Sequence, residues 1–350
     1  MISDSESATI NKINARDFFS FAMLLLSESE VQTLLAPDNA ISLVEDAFAE
    51  FSKGTAVIPQ RISLTKPSQG MTLVMLGILG SQKILGTKIV SVYPQNPSLF
   101  NLPTILAKVI LQDFDTGKII AMIDANDLTK IRTGAATAVS VKYLARKNSK
   151  IIGLFGAGTQ AEGQLLSICS LNEFKFDSCK IYDPNMKTAQ NFKKKMESLC
   201  NVEVIVEKDT MDFVNNCDIV ICASTAIRPL FNGNDLKEGT HVCSIGSHSP
   251  GTRELDSFTL ARASIIAADS KEACLNEAGD FIIPINEGLL NPSRILSIGD
   301  IITGKHPARV SDDQITAFKS VGIAIQDLVC ANYVYKKAIK NQVGLNINQL

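Results

Sequence analysis

A glycine-rich segment in the middle of the chain has residue types and spacing suited to binding a dinucleotide. Gly156, Gly158 and Ala161 fit the pattern G-x-G-x-x-A, directly after the apolar run KIIGLF at residues 150–155. Glycines permit a tight turn and a close backbone approach. A helix that starts at Thr159 would offer unpaired N–H groups and a positive dipole to a pyrophosphate. The segment therefore predicts a dinucleotide site at this turn.

An acidic residue at the end of the next apolar run indicates which dinucleotide binds. Asp183 ends the run CKIYD and lies 22 residues after Ala161. A carboxylate at this spacing accepts hydrogen bonds from the adenosine ribose, and its charge opposes a 2′-phosphate. The sequence Asp183-Pro184-Asn185 supplies no nearby arginine to reverse that preference. We therefore expect NAD as the cofactor and consider NADP less favoured.

The cysteines and histidines give no pattern typical of a metal site. The eight cysteines include no C-x-x-C pair, and the three histidines are His241, His248 and His306. Most of the cysteines fall in predicted strands or helices, where a thiol behaves as a small apolar core residue. We expect no metal, and we expect the reduced cysteines of a cytoplasmic protein.

Composition excludes several classes of protein. The chain has 350 residues, 34 Lys plus Arg and 36 Asp plus Glu, which gives a net charge of −2. This balance argues against a nucleic-acid partner, which a basic surplus would favour. The longest apolar run, at residues 18–26, is too short to cross a membrane, which takes about 20 residues. We therefore expect neither a nucleic-acid nor a membrane partner.

The order of apolar segments predicts two kinds of architecture. After Lys150, short apolar runs alternate with helical stretches, which is typical of a parallel sheet with crossover helices. Before it, residues 20–124 read as α+β with a mostly antiparallel sheet, and a long helix follows at 127–144. Residues 318–339 read as one terminal helix that returns to the first part of the chain.

The apolar run near the amino terminus resembles the core of a signal peptide, but no A-x-A cleavage site follows it. Ser27 and Glu30 instead form an S-x-x-E capping box, which predicts a helix start. We therefore expect a buried strand that leads into a helix, preceded by a loose polar extension.

An ordered series of sequence blocks resembles the ornithine cyclodeaminase/μ-crystallin family. The blocks include MLLLSESEV, GTKIVSVYPQN, IRTGAATAVSVKYLA, GLFGAGTQAEGQ, GSHSPGTREL and EAGDFIIP. The resemblance implies an α/β protein with a Rossmann-type NAD(P)-binding domain and a mixed α+β substrate-binding and dimerisation domain. We expect a flexible extension at 1–22, the mixed domain at 23–144 plus 320–350, and the Rossmann domain at 145–319. The resemblance also implies a homodimer.

The resemblance carries roles onto individual residues. Three cations match the family's substrate-binding positions: Arg61, Lys88 and Arg132. Such cations suit a carboxylate, which Arg binds with two parallel hydrogen bonds. The positions that match cofactor contacts are Thr104, Arg132, Gly156, Gly158, Thr159, Gln160, Asp183, Ser224 and Ser320.

His248 departs from the cyclodeaminase pattern, because members of that group carry an aspartate at the matching position. Histidine can still donate a proton near neutral pH, but it offers no permanent negative charge to a substrate ammonium. Ornithine, which carries two ammonium groups, is therefore less favoured as the substrate. We expect His248 and Lys88 to be the catalytic residues.

The resulting hypothesis is an NAD-dependent oxidoreductase that transfers hydride between a small amino or imino acid and nicotinamide. A cyclic ketimine reductase or an amino-acid dehydrogenase fits this description. The alternatives are an ornithine or lysine cyclodeaminase, an opine-type synthase, and a nucleotide-dependent binding protein without turnover.

Overall fold

The computed structural model describes residues 22–67, 69–210 and 213–348, which form two eight-stranded sheets and the helices around them. The predicted extension at 1–22 lies outside these residues apart from Ala22, which begins the first strand. The strands are β1 (Ala22–Leu26), β2 (Ala56–Val57), β3 (Ile62–Lys66), β4 (Gly70–Leu79), β5 (Ile84–Val92), β6 (Ile105–Gln112), β7 (Ile119–Asp124), β8 (Ile151–Phe155), β9 (Ser178–Tyr182), β10 (Glu203–Val206), β11 (Ile219–Cys222), β12 (His241–Ser244), β13 (Ile265–Ala268), β14 (Ile295–Ser297), β15 (Thr316–Lys319) and β16 (Leu345–Asn348).

Helices connect and cover the strands. They are α1 (Glu28–Leu34), α2 (Pro37–Ser52), α3 (Asn96–Leu99), α4 (Asn126–Leu144), α5 (Thr159–Cys169), α6 (Met186–Cys200), α7 (Ser257–Arg262), α8 (Lys271–Glu277), α9 (Gly279–Asn286), α10 (Ile298–Ile302) and α11 (Ala324–Asn341). The predicted capping box is present, since the Ser27 N–H donates to Glu30 at the start of α1. In the part of the chain that the structure describes, no helix is long and apolar enough to cross a bilayer.

The first sheet has the order β16-β1-β7-β6-β5-β4-β2, and β3 pairs with β4. Its pairs are antiparallel except for β1 with β7. Helix α11 packs closely on this sheet. A Cβ added at Gly77 or Gly86 would lie within 3 Å of the Leu328 side chain of this helix. The mostly antiparallel sheet before residue 124 and the return of the terminal helix were both predicted.

The second sheet is parallel throughout, with the order β10-β9-β8-β11-β12-β15-β13-β14. It has the crossover pattern of a Rossmann-type fold, in which ligands bind at the carboxyl ends of the strands. The predicted fold class is confirmed, whereas the proposed domain boundaries stay a prediction.

One predicted helix is partly wrong. Residues 318–339 were expected to form a single helix, but β15 ends at Lys319 and α11 begins only at Ala324. The four residues of β15 are buried, between β12 and β13. A short apolar run of this kind is compatible with a buried strand or a helix, and periodicity does not distinguish the two.

A close helix crossing joins the two sheet layers. A Cβ added at Gly134 of α4 would lie 2.1 Å from the Gly163 carbonyl of α5. Only glycine permits this approach. The crossing fixes α4, which carries Arg132, against α5, which begins at the glycine turn.

Candidate active site

The glycine turn has the geometry that an anion site requires. Gly156 follows β8 with a φ of +95°, and an added Cβ would lie 2.5 Å from the Ala223 carbonyl. At Gly158, which precedes α5, an added Cβ would meet open space. No side chain of the described residues caps this helix, so its first N–H groups remain available to a ligand.

Asp183 lies beside this turn. Its Oδ2 accepts a hydrogen bond from the Ala157 N–H at 2.9 Å, and its Oδ1 accepts one from the Asn185 N–H at 2.8 Å. The carboxylate at the end of β9 is therefore fixed next to the turn, which is where an adenosine ribose contact requires it.

A cavity of about 790 Å³ extends from the turn to α4. Eight of the predicted site residues line it: Thr104, Arg132, Gly158, Thr159, Gln160, Ser224, His248 and Ser320. Four others do not line it: Arg61, Lys88, Gly156 and Asp183. The Gln160 Oε1 is buried with no hydrogen-bond partner among the described residues. The open helix terminus, the unpaired amide oxygen and the cavity volume all fit a dinucleotide.

Two of the predicted cations share one carboxylate beside this cavity. The Lys88 Nζ lies 2.7 Å from Asp327 Oδ1, and the Arg132 Nε donates to the same oxygen at 2.9 Å. Lys88 also donates to the Thr129 hydroxyl at 2.8 Å. Burial lowers the pKa of Lys88 to about 8, with Asp327 opposing and Arg132 adding to the shift. Lys88 is fully buried, so Arg132 is the member of the pair that reaches the cavity.

Arg61 occupies a neighbouring position. Its Nε donates to Glu277 Oε1 at 2.9 Å, its Nη2 pairs with Glu277 Oε2, and its Nη1 donates to the Val321 carbonyl at 3.3 Å. Arg61 and Glu277 border a separate cavity of about 60 Å³. Gly322 borders both cavities, and a Cβ added there would lie 2.7 Å from Arg132 Nη1. The guanidinium groups of Arg61 and Arg132 therefore approach the adjacent residues Val321 and Gly322.

His248 lies on the cavity surface, in the loop after β12. Its Nδ1 is 3.1 Å from the Gly246 carbonyl, which favours the tautomer with the proton on Nδ1. The pKa of His248 is lowered by desolvation in the cavity, with Arg61 and Lys319 adding to the shift. Because only Nδ1 has a hydrogen-bond partner among the described residues, Nε2 is available for proton transfer.

His241, by contrast, is a structural residue. It is buried between Ser140 and Thr316, and burial lowers its pKa to about 3. It is therefore neutral at physiological pH and does not take part in proton transfer.

Buried carboxylates that were not predicted hold the site loops. Asp269 accepts hydrogen bonds from the Ser320 hydroxyl at 2.7 Å and from the Gly322 N–H at 2.8 Å. Glu254 accepts from the N–H groups of Ser224 and Gly246, both at 2.8 Å. Asp269 directly follows β13, and Glu254 lies in the block GSHSPGTREL, so both positions had a weak sequence signal.

A buried lysine supports the His248 loop. The Lys319 Nζ donates to the Ser247 carbonyl at 2.6 Å and to the Ser244 hydroxyl at 2.9 Å, and it pairs with Asp280 at 2.9 Å. The nearby carboxylates of Asp280 and Glu254 outweigh desolvation and raise the pKa of Lys319. Lys319 was not identified from the sequence because it was assigned to a helix.

The parallel sheet, the glycine turn and the charged cavity define a Rossmann-type dinucleotide-binding protein. A sequence profile described as the Ornithine cyclodeaminase/mu-crystallin family matches residues 22–342. The chain belongs to this family, and the predicted family and enzyme class are confirmed.

Three relatives show how close the similarity is. The Δ1-pyrroline-2-carboxylate reductase of Bacillus cereus is 35% identical over 327 residues, which cover 93% of this chain and 99% of that protein. The Thermococcus litoralis Δ1-pyrroline-2-carboxylate reductase, solved with NADH and L-proline, superposes with a TM-score of 0.90. It is 38% identical, with coverage of 93% of this chain and 100% of that one. An archaeal alanine dehydrogenase dimer with bound NAD has a TM-score of 0.87 and 33% identity, covering 94% and 100%.

Proposed function

We propose that the protein is an NAD-dependent reductase of cyclic imino acids, with Δ1-pyrroline-2-carboxylate as the representative substrate and L-proline as its product. The observation that carries the proposal is the cation cluster around Val321 and Gly322, next to a cavity that fits a dinucleotide. The two reductases among the relatives support the same substrate class.

The cations suit a substrate with one carboxylate. Arg132 lines the cavity, and its Nη2 can donate to a carboxylate, since its Nε and Nη1 donate to Asp327 and Gln326. Lys88 adds positive charge from behind it. Asp327 neutralises one of these two charges, so the pair retains one net positive charge. This charge also stabilises electron density that develops on the imino acid during reduction.

The reaction adds a hydride to the imine carbon and a proton to the imine nitrogen; NADH bound in the cavity would supply the hydride and be oxidised to NAD+. Gly158, Thr159 and Gln160 would hold the pyrophosphate, and Asp183 would hold the adenosine ribose. Ser320, fixed by Asp269, would bind the nicotinamide amide. His248 would donate the proton through Nε2.

The test is a near-ultraviolet assay of NADH consumption with pyrroline-2-carboxylate and piperideine-2-carboxylate. We expect rapid NADH loss and formation of the cyclic amino acid. No loss with either imine would reject the proposal. Pyruvate with ammonia and NADH then tests for alanine dehydrogenase activity, ammonia release from ornithine or lysine tests for a cyclodeaminase, and an amino acid with a keto acid tests for an opine synthase.

We further propose a homodimer that forms through the exposed face of the first sheet. Strand β3 is exposed along its whole length, with Ile62 at 55% and Leu64 at 69% exposure. Leu76 and Ile89 extend this apolar surface across β4 and β5. An apolar patch of this kind marks an interaction surface, and a second copy fits because the related alanine dehydrogenase is a dimer. Sedimentation velocity should show a dimer for the wild type and a monomer for Leu64→Asp.

A cytoplasmic location is a proposal that rests on the cysteines. All eight lie in the described residues as free thiols, most of them buried. Free thiols are typical of a reducing compartment.

A further inference from the structure

Arg61 is a predicted substrate-binding residue, but it does not line the large cavity in which the substrate is proposed to bind. Arg132 and His248 line the large cavity, whereas Arg61 borders the small one beside it. Gly322 forms part of the boundary between the two cavities. A substrate in the large cavity therefore reaches the Arg61 guanidinium only if that group turns toward Gly322.

Glu277 accounts for this position. Both of its carboxylate oxygens face the Nε and Nη2 edge of Arg61. This paired arrangement is the one in which an arginine binds the carboxylate of a ligand. Glu277 is the last residue of α8, and its side chain thus occupies an edge that a substrate carboxylate would otherwise use.

The surroundings permit the guanidinium to move. Arg61 lies in the irregular segment between β2 and β3, where no strand pairing fixes its backbone. Its remaining hydrogen bond, to the Val321 carbonyl, is long at 3.3 Å. Because Val321 and Gly322 line the large cavity, an Arg61 guanidinium freed from Glu277 is already next to residues that border the proposed substrate space.

We propose that Glu277 is a specificity-determining residue. It binds Arg61 between turnovers, and the substrate carboxylate replaces it on Arg61 during turnover. The inference rests on the proposed function, because it assumes a carboxylate substrate in the large cavity. Exchange of one carboxylate for another conserves the charge around Arg61. A cyclic imine without a carboxylate offers no such exchange, so the site discriminates against it.

The first measurement compares steady-state kinetics of Glu277→Gln and wild type with pyrroline-2-carboxylate. Loss of the internal competitor should lower KM by about 3- to 10-fold, with a smaller change in kcat. Glu45→Gln is the matched control. It removes a carboxylate from a partly buried pair, with Lys142 at 2.7 Å, that borders neither cavity. Its KM should equal that of the wild type.

The second measurement needs no turnover. Phenylglyoxal modifies accessible arginines, and peptide mass spectrometry reports the rate at Arg61. We expect this rate to rise several-fold in Glu277→Gln and to stay unchanged in Glu45→Gln. Pyrrole-2-carboxylate, a stable planar carboxylate, should protect Arg61 in the wild type and in Glu277→Gln.

The outcomes separate the two proposals. An unchanged or raised KM in Glu277→Gln, or an unchanged modification rate at Arg61, would overturn the exchange role and leave Glu277 as a structural partner. Suppose that Arg61 is modified faster in Glu277→Gln than in wild type, but neither protein reduces an imine. This result would support the role of Glu277 in holding Arg61 and would reject the proposed substrate.

Discussion

The Lys88 Nζ lies 2.7 Å from Asp327 Oδ1, the same carboxylate oxygen that accepts the Arg132 Nε at 2.9 Å. Both side chains of the Lys88–Asp327 pair are buried, at 1% and 0% exposure. One carboxylate thus pairs with two cations that are far apart in sequence, and the three groups together retain one net positive charge.

Asp327→Asn should lower the free energy of unfolding by about 3–5 kcal/mol, the usual cost of removing one partner from a buried ion pair. The amide oxygen can still accept hydrogen bonds, so the decrease in the free energy of unfolding is due mainly to the removed charge. Urea denaturation measures it. Asp115→Asn is the control, since Asp115 and Lys83 form an exposed pair at 3.8 Å and should add little stability. An Asp327→Asn variant as stable as wild type would contradict the expectation.

Lys88→Met should abolish most turnover and keep dinucleotide binding. Methionine fills much of the space but removes the charge that stabilises the reacting imino acid, and we expect kcat/KM to fall about 10²-fold or more. Fluorescence titration with NADH should give a Kd close to that of wild type, because Lys88 does not line the cavity. Lys142→Met, at a pair remote from both cavities, is the control. A wild-type rate in Lys88→Met would remove Lys88 from the mechanism.

Much of the fold could be predicted because its signals are local. The apolar runs KIIGLF and CKIYD coincide with β8 and β9 of the second sheet, and the apolar pattern alone indicates them. Strand β15 was misassigned because its four buried residues carry no distinctive period. Strand β16 had no signal of its own, since its pairing with β1 joins the two ends of the described chain.

The site was only partly predictable, for a related reason. The glycine turn and Asp183 follow consecutive strands, so spacing identifies them. The partners of the cations do not follow from spacing, because Lys88 and Asp327 are 239 positions apart and Arg61 and Glu277 are 216 apart. Such contacts depend on how α11 packs on the first sheet and on how α8, which follows β13 of the second sheet, approaches the segment before β3. No local pattern specifies either arrangement.

Reduction should slow at high pH because Lys88 loses its charge. With a pKa of about 8, Lys88 is protonated below that pH and neutral above it. The kcat/KM for pyrroline-2-carboxylate should therefore fall as pH rises through about 8. Arginine keeps its charge at these pH values. The kcat/KM that remains in Lys88→Arg should therefore show no such decline. A decline of the same midpoint in Lys88→Arg would assign it to another group.

Asp183→Ser should shift the cofactor preference from NADH toward NADPH. The substitution removes the charge that opposes a 2′-phosphate, and it also removes hydrogen bonds to the ribose. We expect the ratio of the KM for NADPH to the KM for NADH to fall about tenfold or more. Asp177→Ser is a matched control with the same charge change, at an exposed site that lies just before β9. Equal ratios in Asp183→Ser and wild type would contradict the assignment.

His248→Asn should lower kcat for imine reduction by about 10²- to 10⁴-fold, the range for loss of a general acid. Asparagine is polar and similar in size, so substrate KM should change less than kcat. The pKa of His248 lies below its ordinary value. The protonated donor is therefore lost as pH rises through that lowered pKa, and wild-type kcat should decline over this acidic range. The decline should be absent in His248→Asn, and stopped-flow measurement of NADH oxidation across pH would separate it from the Lys88 effect at higher pH. His306→Asn serves as the control, because His306 does not line the cavity. An unchanged kcat in His248→Asn would mean that another group or water supplies the proton.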